Sequence, residues 1–152
     1  MEKAFSLQEM GNSPILIAPK DKKVQGNGIA RECVEALRAG LPLDPIASEE
    51  LPLSVLLTLQ NQHPEINLRI MNISTAEGVD MISKSINKPL SSVCWWHLVA
   101  DSSSLKPSEL GWRVTPSLGN LKNREALVNG LANREITGVG VLQLLQDGFG
   151  FL

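Results

Sequence analysis

The sequence contains few of the side chains that carry most nucleophilic and metal chemistry. It has two cysteines, Cys33 and Cys94, and two histidines, His63 and His97. Two cysteines do not imply a disulfide framework. The two cysteines and two histidines together supply few ligands for a zinc site. The sequence also lacks a long apolar run, since no stretch approaches the roughly 18 residues of a membrane span. These absences favour a soluble cytoplasmic protein with reduced thiols, although a chain exported to another cell without a leader would have the same composition.

An excess of positive charge is missing as well. The formal net charge is −2, and the 14 lysines and arginines are scattered along the chain. The one basic cluster, at residues 20–23, is interrupted by Asp21. The charge pattern therefore predicts neither a nucleic-acid partner nor an anionic membrane partner. The N-terminus has an acidic residue at position 2 and no apolar run, so we expect no signal peptide there. We expect residues 1–12 to form a mobile segment.

The remaining composition is that of a folded protein. Of the 152 residues, 43% are apolar and 20% are charged, which is typical of a globular chain. This length is sufficient for one domain, spanning 1–152, with a core that needs no disulfides or metals. Apolar periodicity predicts a strand at 13–19, a helix at 29–40 and a helix from Ser48 to Gln62.

Residues 66–100 are predicted to form a strand, a helix and a second strand. Such a unit usually makes a right-handed crossover between parallel strands. Ser74 and Glu77 have the spacing of a capping box that opens the helix. Its apolar stripe comprises Val79, Ile82 and Ile86. We also expect a short strand at 112–116 and helices at 120–132 and 137–148. The chain is thus predicted to be one α/β domain, a small mixed or partly parallel sheet flanked by about five helices. A mainly helical domain is the alternative.

The stretch SSVCWWHLVAD, residues 91–101, concentrates rare side chains. If it forms a strand, Trp95 and Trp96 point to opposite faces, and His97 shares its face with Trp95 and not with Cys94. One tryptophan would then be in the core, and the other would cover a helix or contact a partner, since tryptophan is enriched at binding hot spots. The candidate protein-binding residues are Trp95, Trp96 and Trp112. A helix through the same stretch is the alternative.

Two kinds of reactive site can be formulated around Cys94. A cysteine followed by tryptophan resembles the nucleophile segment of papain-like peptidases, and His63 with Asp80 would have to supply the base and its orienting group. A zinc site would need Cys94 and His97 together with Cys33 and His63. On a strand Cys94 and His97 point apart, and nothing in the sequence joins the other groups. We therefore predict no catalytic and no metal-binding residues.

A glycine-containing loop precedes the predicted helix at 29–40. Glycines in such a loop let backbone N–H groups approach a phosphate at a helix N-terminus. The pattern Gln25-x-x-Gly28-x-Ala30 resembles the pyrophosphate loop of GNAT acetyltransferases. That resemblance implies a ligand of the coenzyme A type. The residues that would bind it are Gln25, Gly26, Asn27, Gly28 and Ala30.

Two functions compete on this basis. The leading expectation is a protein without catalysis or cofactor that works by binding another protein, as an inhibitor, an immunity protein, a secretion-associated factor or an adaptor. It depends on the small size, the mild acidity and the absence of a convincing acid–base pair. The rival expectation is a group-transfer enzyme that binds a phosphate-bearing cofactor at 25–30.

Overall fold

Short strands alternate with helices along the chain. The computed structural model describes residues 13–106, 108 and 110–140, without the side chain of Trp112. The strands are β1 (Ile15–Ile17), β2 (Ala30–Arg31), β3 (Leu43–Asp44), β4 (Leu68–Ile70), β5 (Leu90–Cys94) and β6 (Gly138–Gly140). The helices are α1 (Lys22–Gln25), α2 (Val34–Arg38), α3 (Ala47–Gln62), α4 (Ala76–Lys84), α5 (Trp96–Val99) and α6 (Leu121–Ala132), with 3₁₀ turns at Ser102–Ser104 and Leu110–Trp112.

The strands form two parallel sheets. The larger has the order β1-β4-β5-β6, and β2 pairs with β3 in the smaller. All four described strand pairings are parallel. The α/β prediction with an at least partly parallel sheet is therefore confirmed. The predicted strand–helix–strand crossover is also present, because β4 leads through α4 to its parallel neighbour β5.

Helices α3, α4 and α6 cover one face of the larger sheet. Leu53 and Leu56 of α3, Ile82 of α4 and Leu127 of α6 pack with Ile70 of β4 in one buried cluster. The helix predicted from Ser48 to Gln62 is confirmed as α3, which ends immediately before His63. The residue before Pro64 disfavours helical backbone, which explains this boundary. The helix predicted at 120–132 is confirmed as α6, and Asn120 caps it by accepting from the N–H of Asn123.

The opposite face of the larger sheet is exposed. Leu16 of β1 and Leu90 of β5 are 56% and 48% exposed, and Arg69 of β4, in register with both, is also exposed between them. Arg69 alternates with the buried Leu68 and Ile70, as the two-residue period of a strand requires. A parallel sheet is usually covered on both faces. The described residues therefore leave one apolar sheet face without its usual cover.

The helix predicted at 29–40 is confirmed only over Val34–Arg38 and is wrong before it. Residues 30–31 form β2 beside β3, and α2 starts only at Val34. Cys33 caps α2, where its Sγ accepts from the N–H of Ala36 at 3.4 Å, so it is half-buried rather than on a buried helix face. The sequence pattern failed here because Arg31 is buried and needs acceptors that lie across the smaller sheet.

Both ends of the helix α4 and the strand predicted at 112–116 also differ from prediction. The N-cap of α4 is Thr75 and not Ser74, because the Ser74 side chain contacts Glu49 instead. Ile86 lies beyond the end of α4 and is 88% exposed, so it is not on the buried stripe. The predicted strand at 112–116 is absent, since a 3₁₀ turn ends at 112 and Pro116 cannot donate to a ladder.

The helix predicted at 137–148 is wrong at its start. Residues 138–140 form β6, which pairs with β5, and glycines at 138 and 140 disfavour a helix. Residues 141–152 lie outside the described part of the chain, as do residues 1–12. No helix among the described residues is long and apolar enough to cross a membrane.

Close packing of Gly28 against β3 gives a test of this fold. A Cβ at Gly28 would lie 2.6 Å from Cα and 2.7 Å from N of Asp44, which are backbone atoms that cannot move cheaply. Gly28→Ala should therefore lower the free energy of unfolding by about 1–3 kcal/mol in urea titrations. Gly138→Ala is the matched control, because no atom of the described residues lies within 4 Å of a Cβ placed there. Equal stability of the two variants would contradict the packing.

Candidate functional site

The carboxyl ends of β1, β4 and β5 meet at one edge of the larger sheet. In parallel α/β folds the reacting groups lie at this edge. Lys20 follows β1, Asn72 and Ser74 follow β4, and Trp95 follows β5. We call these four residues the carboxyl edge. The N–H of Met71 donates to the carbonyl of Ile17 at 2.8 Å, which holds the ends of β1 and β4 together.

A buried group of charges lies next to the carboxyl edge. Arg31, Asp44 and Glu49 are each exposed by 1–2%. The Arg31 Nη1 atom lies 3.5 Å from Asp44 Oδ1, and Nη2 lies 3.7 Å from Glu49 Oε2. We call these three residues, with the side chains bonded to them, the Arg31 network. A buried charge is tolerated only when it is paired and hydrogen-bonded.

The Arg31 guanidinium connects β2 to the end of β3, the first turn of α3 and the loop after β4. Its Nη1 donates to the carbonyl of Pro45 at 2.9 Å and to Ser48 Oγ at 3.1 Å, and its Nη2 donates to Ser74 Oγ at 2.9 Å. Its Nε has no hydrogen-bond partner among the described atoms. The contact with Ser74 connects the smaller sheet to the carboxyl edge.

Glu49, in the first turn of α3, holds the loop that follows β4. Its carboxylate accepts from the backbone N–H groups of Ser74 and Thr75, each at 3.1 Å, and from both hydroxyls, that of Thr75 at 2.6 Å. Thr75 Oγ1 in turn accepts from the N–H of Gly78 at 2.9 Å and so caps α4. A Cβ at Gly78 would lie 2.6 Å from Glu49 Oε1, so only glycine fits this close approach. One carboxylate thus orients the loop and the start of the next helix.

Asp44 completes the network on the other side of Arg31. It accepts from Ser48 Oγ at 2.6 Å, from Ser117 Oγ at 2.8 Å and from Gln25 Nε2 at 3.5 Å. Partial burial lowers the pKa of the nearby Lys20 amine below its usual 10.5, and the Asp44 carboxylate opposes that shift. Lys20 therefore brings a partly desolvated cation to the carboxyl edge.

The glycine loop closes on its own chain. Gln25 is the last residue of α1, Gly26 has a positive φ of 56°, and Gln25 Nε2 donates to the carbonyl of Gly28 at 3.0 Å. The loop leads into β2 and not into a helix. The helix N-terminus that was expected to bind a phosphate is therefore not next to the loop. A cofactor-binding role for Gln25, Gly26, Asn27, Gly28 and Ala30 stays a prediction.

The tryptophans do not lie on opposite faces of a strand. β5 ends at Cys94, and the rings of Trp95 and Trp96 stack with centroids 4.3 Å apart and planes at 22°. The strand prediction failed because the chain becomes helical at Trp96, two residues after Cys94. The Trp95 side chain is 38% exposed, and the backbone N–H of Trp95 donates to the carbonyl of Gly140 at 3.2 Å. Protein binding by Trp95, Trp96 and Trp112 stays a prediction, and the Trp112 side chain lies outside the described part.

The reactive residues noted in the sequence are not assembled into one site. Cys94 is buried at the carboxyl end of β5, whereas His63 lies beyond α3 and before the start of β4, where it contacts Glu65 at 3.3 Å. Asp80 pairs with Lys84 at 2.7 Å instead of orienting a histidine. Within the described ranges, no group of three or more histidine, cysteine, aspartate or glutamate side chains could hold a metal ion.

His97 is buried in α5, where its Nε2 lies 3.0 Å from the carbonyl of Pro116. Burial lowers the pKa of His97 to about 4, and the contact with Pro116 opposes the shift only partly. The imidazole is therefore neutral near pH 7 and donates from Nε2 to that carbonyl. Its Nδ1 has no hydrogen-bond partner among the described atoms.

Comparisons with known proteins relate this chain to enzymes. No family model matches it. A probable dihydroorotase-like protein of Synechocystis sp. (strain ATCC 27184 / PCC 6803 / Kazusa) is 30% identical over 152 residues. The match covers 93% of this chain but 34% of that protein. The chain therefore spans about a third of the length of this relative.

Solved enzymes share the fold. D-hydantoinase from Bacillus sp. AR9 matches 92% of this chain with a TM-score of 0.73 and 17% identity, over 32% of its own length. L-hydantoinase from Arthrobacter aurescens matches 90% with a TM-score of 0.71 and 16% identity, over 32% of its length. Dihydroorotase from Saccharomyces cerevisiae, solved with 5-fluoroorotic acid, matches 86% with a TM-score of 0.63 and 14% identity, over 35% of its length.

These comparisons correct the functional expectations. The leading expectation, a non-catalytic protein that works by binding another protein, is wrong, because the chain resembles proteins named as dihydroorotases and hydantoinases, which are catalysts. The alternative, a group-transfer enzyme that binds a phosphate-bearing cofactor at 25–30, stays a prediction. The described elements share the α/β fold of the matched part of these solved structures, which are TIM-barrel-like. The Arg31 network was not recognised from the sequence, since its members are far apart and look like ordinary surface charges.

Removing the Glu49 charge tests the Arg31 network. Glu49→Gln would leave Arg31 with one ion-pair partner and weaken four hydrogen bonds to the loop after β4, so we expect the free energy of unfolding to fall by about 3–5 kcal/mol. Glu50→Gln, at the neighbouring and less buried position, should change it by less than about 0.5 kcal/mol. Urea titration at pH 7 measures both variants. A Glu49→Gln protein as stable as Glu50→Gln would contradict the network.

The depressed pKa of His97 predicts a dependence of stability on pH. Between about pH 6.5 and pH 4 the unfolded chain binds a proton at His97 that the folded protein does not bind. The contribution of His97 to the free energy of unfolding is therefore fully present above about pH 6.5. It is lost as the pH falls to about 4, which lowers the free energy of unfolding by roughly 3 kcal/mol in total. His97→Gln should remove this component from the pH profile of the unfolding free energy, whereas His63→Gln should retain it. Identical profiles for wild type and His97→Gln would exclude this role.

Proposed function

We propose that this chain supplies part of a hydrolase that opens cyclic amides of the dihydroorotate, dihydropyrimidine or hydantoin type. The observation that carries the proposal is the 30% identity to the Synechocystis dihydroorotase-like protein, which extends over 93% of the chain. The likeness to solved hydantoinases and dihydroorotases supports it through the fold. Their names give the ring chemistry that we transfer to this protein.

The carboxyl edge is the substrate side in this proposal. Lys20 offers a half-buried cation, and Asn72 offers an amide next to Gly140 of β6. Asn72 is 4% exposed and adopts a left-handed backbone, with φ of 57°, which is uncommon outside turns and functional sites. The Arg31 network fixes the loop after β4 through the hydrogen bonds that Glu49 accepts from Ser74 and Thr75, so the carboxyl edge is preorganised.

Hydrolysis adds water across the C–N bond of the ring. The carbonyl carbon gains the water oxygen, the C–N bond breaks, and the ring nitrogen takes a proton. A bound metal ion is one way to activate that water. The described side chains do not fit a metal centre, because the carboxylates nearest the edge are bonded to Arg31, serines and backbone N–H groups. We therefore assign to this part of the chain the binding and orientation of the ring.

The exposed sheet face has a place in the same proposal. The solved relatives are about three times as long as the part that matches, and their folds are TIM-barrel-like. In such a barrel the inner face of the strands is covered by strands from the rest of the barrel. We propose the same cover here, and a cytoplasmic location in keeping with Cys33 and Cys94, which are not joined in a disulfide.

A hydrolysis assay tests the proposal. The complete natural protein should convert dihydroorotate, dihydrouracil or hydantoin to its ring-opened product, followed by liquid chromatography. Lys20→Met should lower kcat/KM for the accepted ring at least about tenfold, because it removes the cation from the carboxyl edge. Lys23→Met, at an exposed position in α1, is the matched control. Absence of turnover of all three rings by the folded protein would refute the function.

A further inference from the structure

A buried side-chain amide at the carboxyl edge has no partner among the described residues. Asn72 is 4% exposed, and its side chain makes no hydrogen bond to a residue that the structure describes. The bond that Asn72 does make comes from its backbone N–H, which lies 3.4 Å from Ser92 Oγ. A buried amide that stays unpaired costs free energy. The Asn72 amide therefore needs a partner from outside the described part of the chain.

The backbone of Asn72 does not by itself require this side chain. Its φ of 57° is left-handed, a conformation that glycine adopts without strain and that asparagine tolerates better than most residues. Glycine would satisfy the same backbone and would leave no amide unpaired. The presence of an amide at this position thus favours a binding role over a purely conformational one.

Gly140 has no side chain, which leaves a gap next to the Asn72 amide. A Cβ at Gly140 would have Asn72 Oδ1 as its nearest described neighbour, at 3.6 Å, and Ser92 Oγ as the next, at 3.9 Å. We call this space the Gly140 gap. The Ser92 hydroxyl lies 3.7 Å from Met71 Sδ, which is a weak acceptor, so its hydrogen can turn to a better one. Two polar side chains therefore border one small space.

The Gly140 gap lies at the end of the sheet where a substrate can enter. Gly140 is the last residue of β6, and Asn72 follows β4, so both are at the carboxyl ends of their strands. In a barrel the neighbouring strands cover the inner face, whereas the carboxyl end is the side on which substrates bind. A ligand at this end can reach the amide even when the sheet face is covered.

We propose that Asn72 binds the amide group of the substrate ring, with Oδ1 accepting from the ring N–H and Nδ2 donating to the adjacent ring carbonyl. In a ring the N–H and C=O of one amide point to the same side, so a carboxamide meets both at once. In an open peptide amide the two groups point to opposite sides, because that bond is trans. The inference rests on the proposed function for the class of ring, and it deepens that function by assigning a residue that recognises the cyclic amide.

Two rings that differ only at nitrogen test the pairing on the unaltered protein. Uracil carries the cyclic amide, whereas 1,3-dimethyluracil retains both carbonyls and has no N–H. Binding of each to the complete natural protein is measured by titration calorimetry. We expect uracil to bind and 1,3-dimethyluracil to bind at least about tenfold more weakly, in line with the loss of a hydrogen bond and the added methyl groups.

Removing the amide while keeping the backbone tests Asn72 itself. Asn72→Gly should weaken uracil binding by about 10- to 100-fold, because two hydrogen bonds are lost. Its midpoint of thermal unfolding should stay close to that of the wild type, because glycine suits the left-handed backbone. Arg134→Gly is the matched control, since Arg134 also has a positive φ, of 60°, and is exposed. It should bind uracil as the wild type does.

Filling the gap gives a second, independent variant. Gly140→Ala places a methyl group in the Gly140 gap at ordinary contact distances from the described atoms, so the protein should fold and lose uracil binding at least about tenfold. Gly138→Ala, two residues earlier in β6, has no described atom within 4 Å of the added Cβ and should bind uracil normally. Circular dichroism and thermal unfolding establish that each variant is folded.

Four results would each overturn the assignment. They are failure of the wild type to bind uracil, equal binding of uracil and 1,3-dimethyluracil, unchanged uracil binding by folded Asn72→Gly, and equal binding by Gly140→Ala and Gly138→Ala. The first of these is also the result expected if a polar side chain from the rest of the protein fills the gap.

The outcome is separable from that of the hydrolysis assay. If the protein hydrolyses a ring but Asn72→Gly binds uracil normally, the Asn72 assignment fails and the proposed function stands. If uracil binds through Asn72 but no ring is hydrolysed, the Asn72 assignment stands and the proposed function fails.

Discussion

A guanidinium excluded from water needs acceptors for its charge, and Arg31 finds them at both of its terminal nitrogens, Nη1 and Nη2. Its partners are distributed over β3, the start of α3 and the loop after β4. Breaking one partner of such a pair leaves an unpaired buried charge, which is far more costly than losing an exposed ion pair. The smaller sheet, α3 and the carboxyl end of the larger sheet are therefore held as one unit, and Glu49 passes that constraint on to Ser74, Thr75 and the first turn of α4.

This constraint connects the fold to the proposed chemistry. The helices on one face of the larger sheet supply the hydrophobic core, whereas the Arg31 network supplies the polar support of the edge at which a ring would bind. The other face carries the exposed Arg69 between Leu16 and Leu90 and would become an interior surface once further strands cover it. A parallel sheet with a polar carboxyl edge and one exposed face is what a part of a TIM-barrel-like fold presents. The chain matches about a third of the length of the Synechocystis relative and of D-hydantoinase.

Much of the fold is predictable from local sequence. The leucines of α3, the proline that follows it, the capped helix α6 and the strand–helix–strand unit around α4 all follow from apolar spacing and cap residues. The Arg31 network is not local: Arg31 and Ser74 are 43 residues apart, and Asp44 and Ser117 are 73 apart. Periodicity contains no information on such pairs, and an isolated arginine, aspartate or glutamate is indistinguishable from a surface charge. For the same reason the helix prediction at 29–40 fails before Val34, and the rare residues around Cys94 form a more conspicuous local pattern than the members of the Arg31 network.

Amide hydrogen exchange at Ser74 and Thr75 tests the central claim most directly, namely that the buried Glu49 carboxylate fixes the carboxyl edge. Both N–H groups donate to Glu49 in a site closed to water. If the account is right, they exchange as slowly as the N–H of Met71, which is bonded within the larger sheet, because all three open only in global unfolding. Exchange of Ser74 and Thr75 at the rate of unprotected amides, with Met71 still protected, would contradict it.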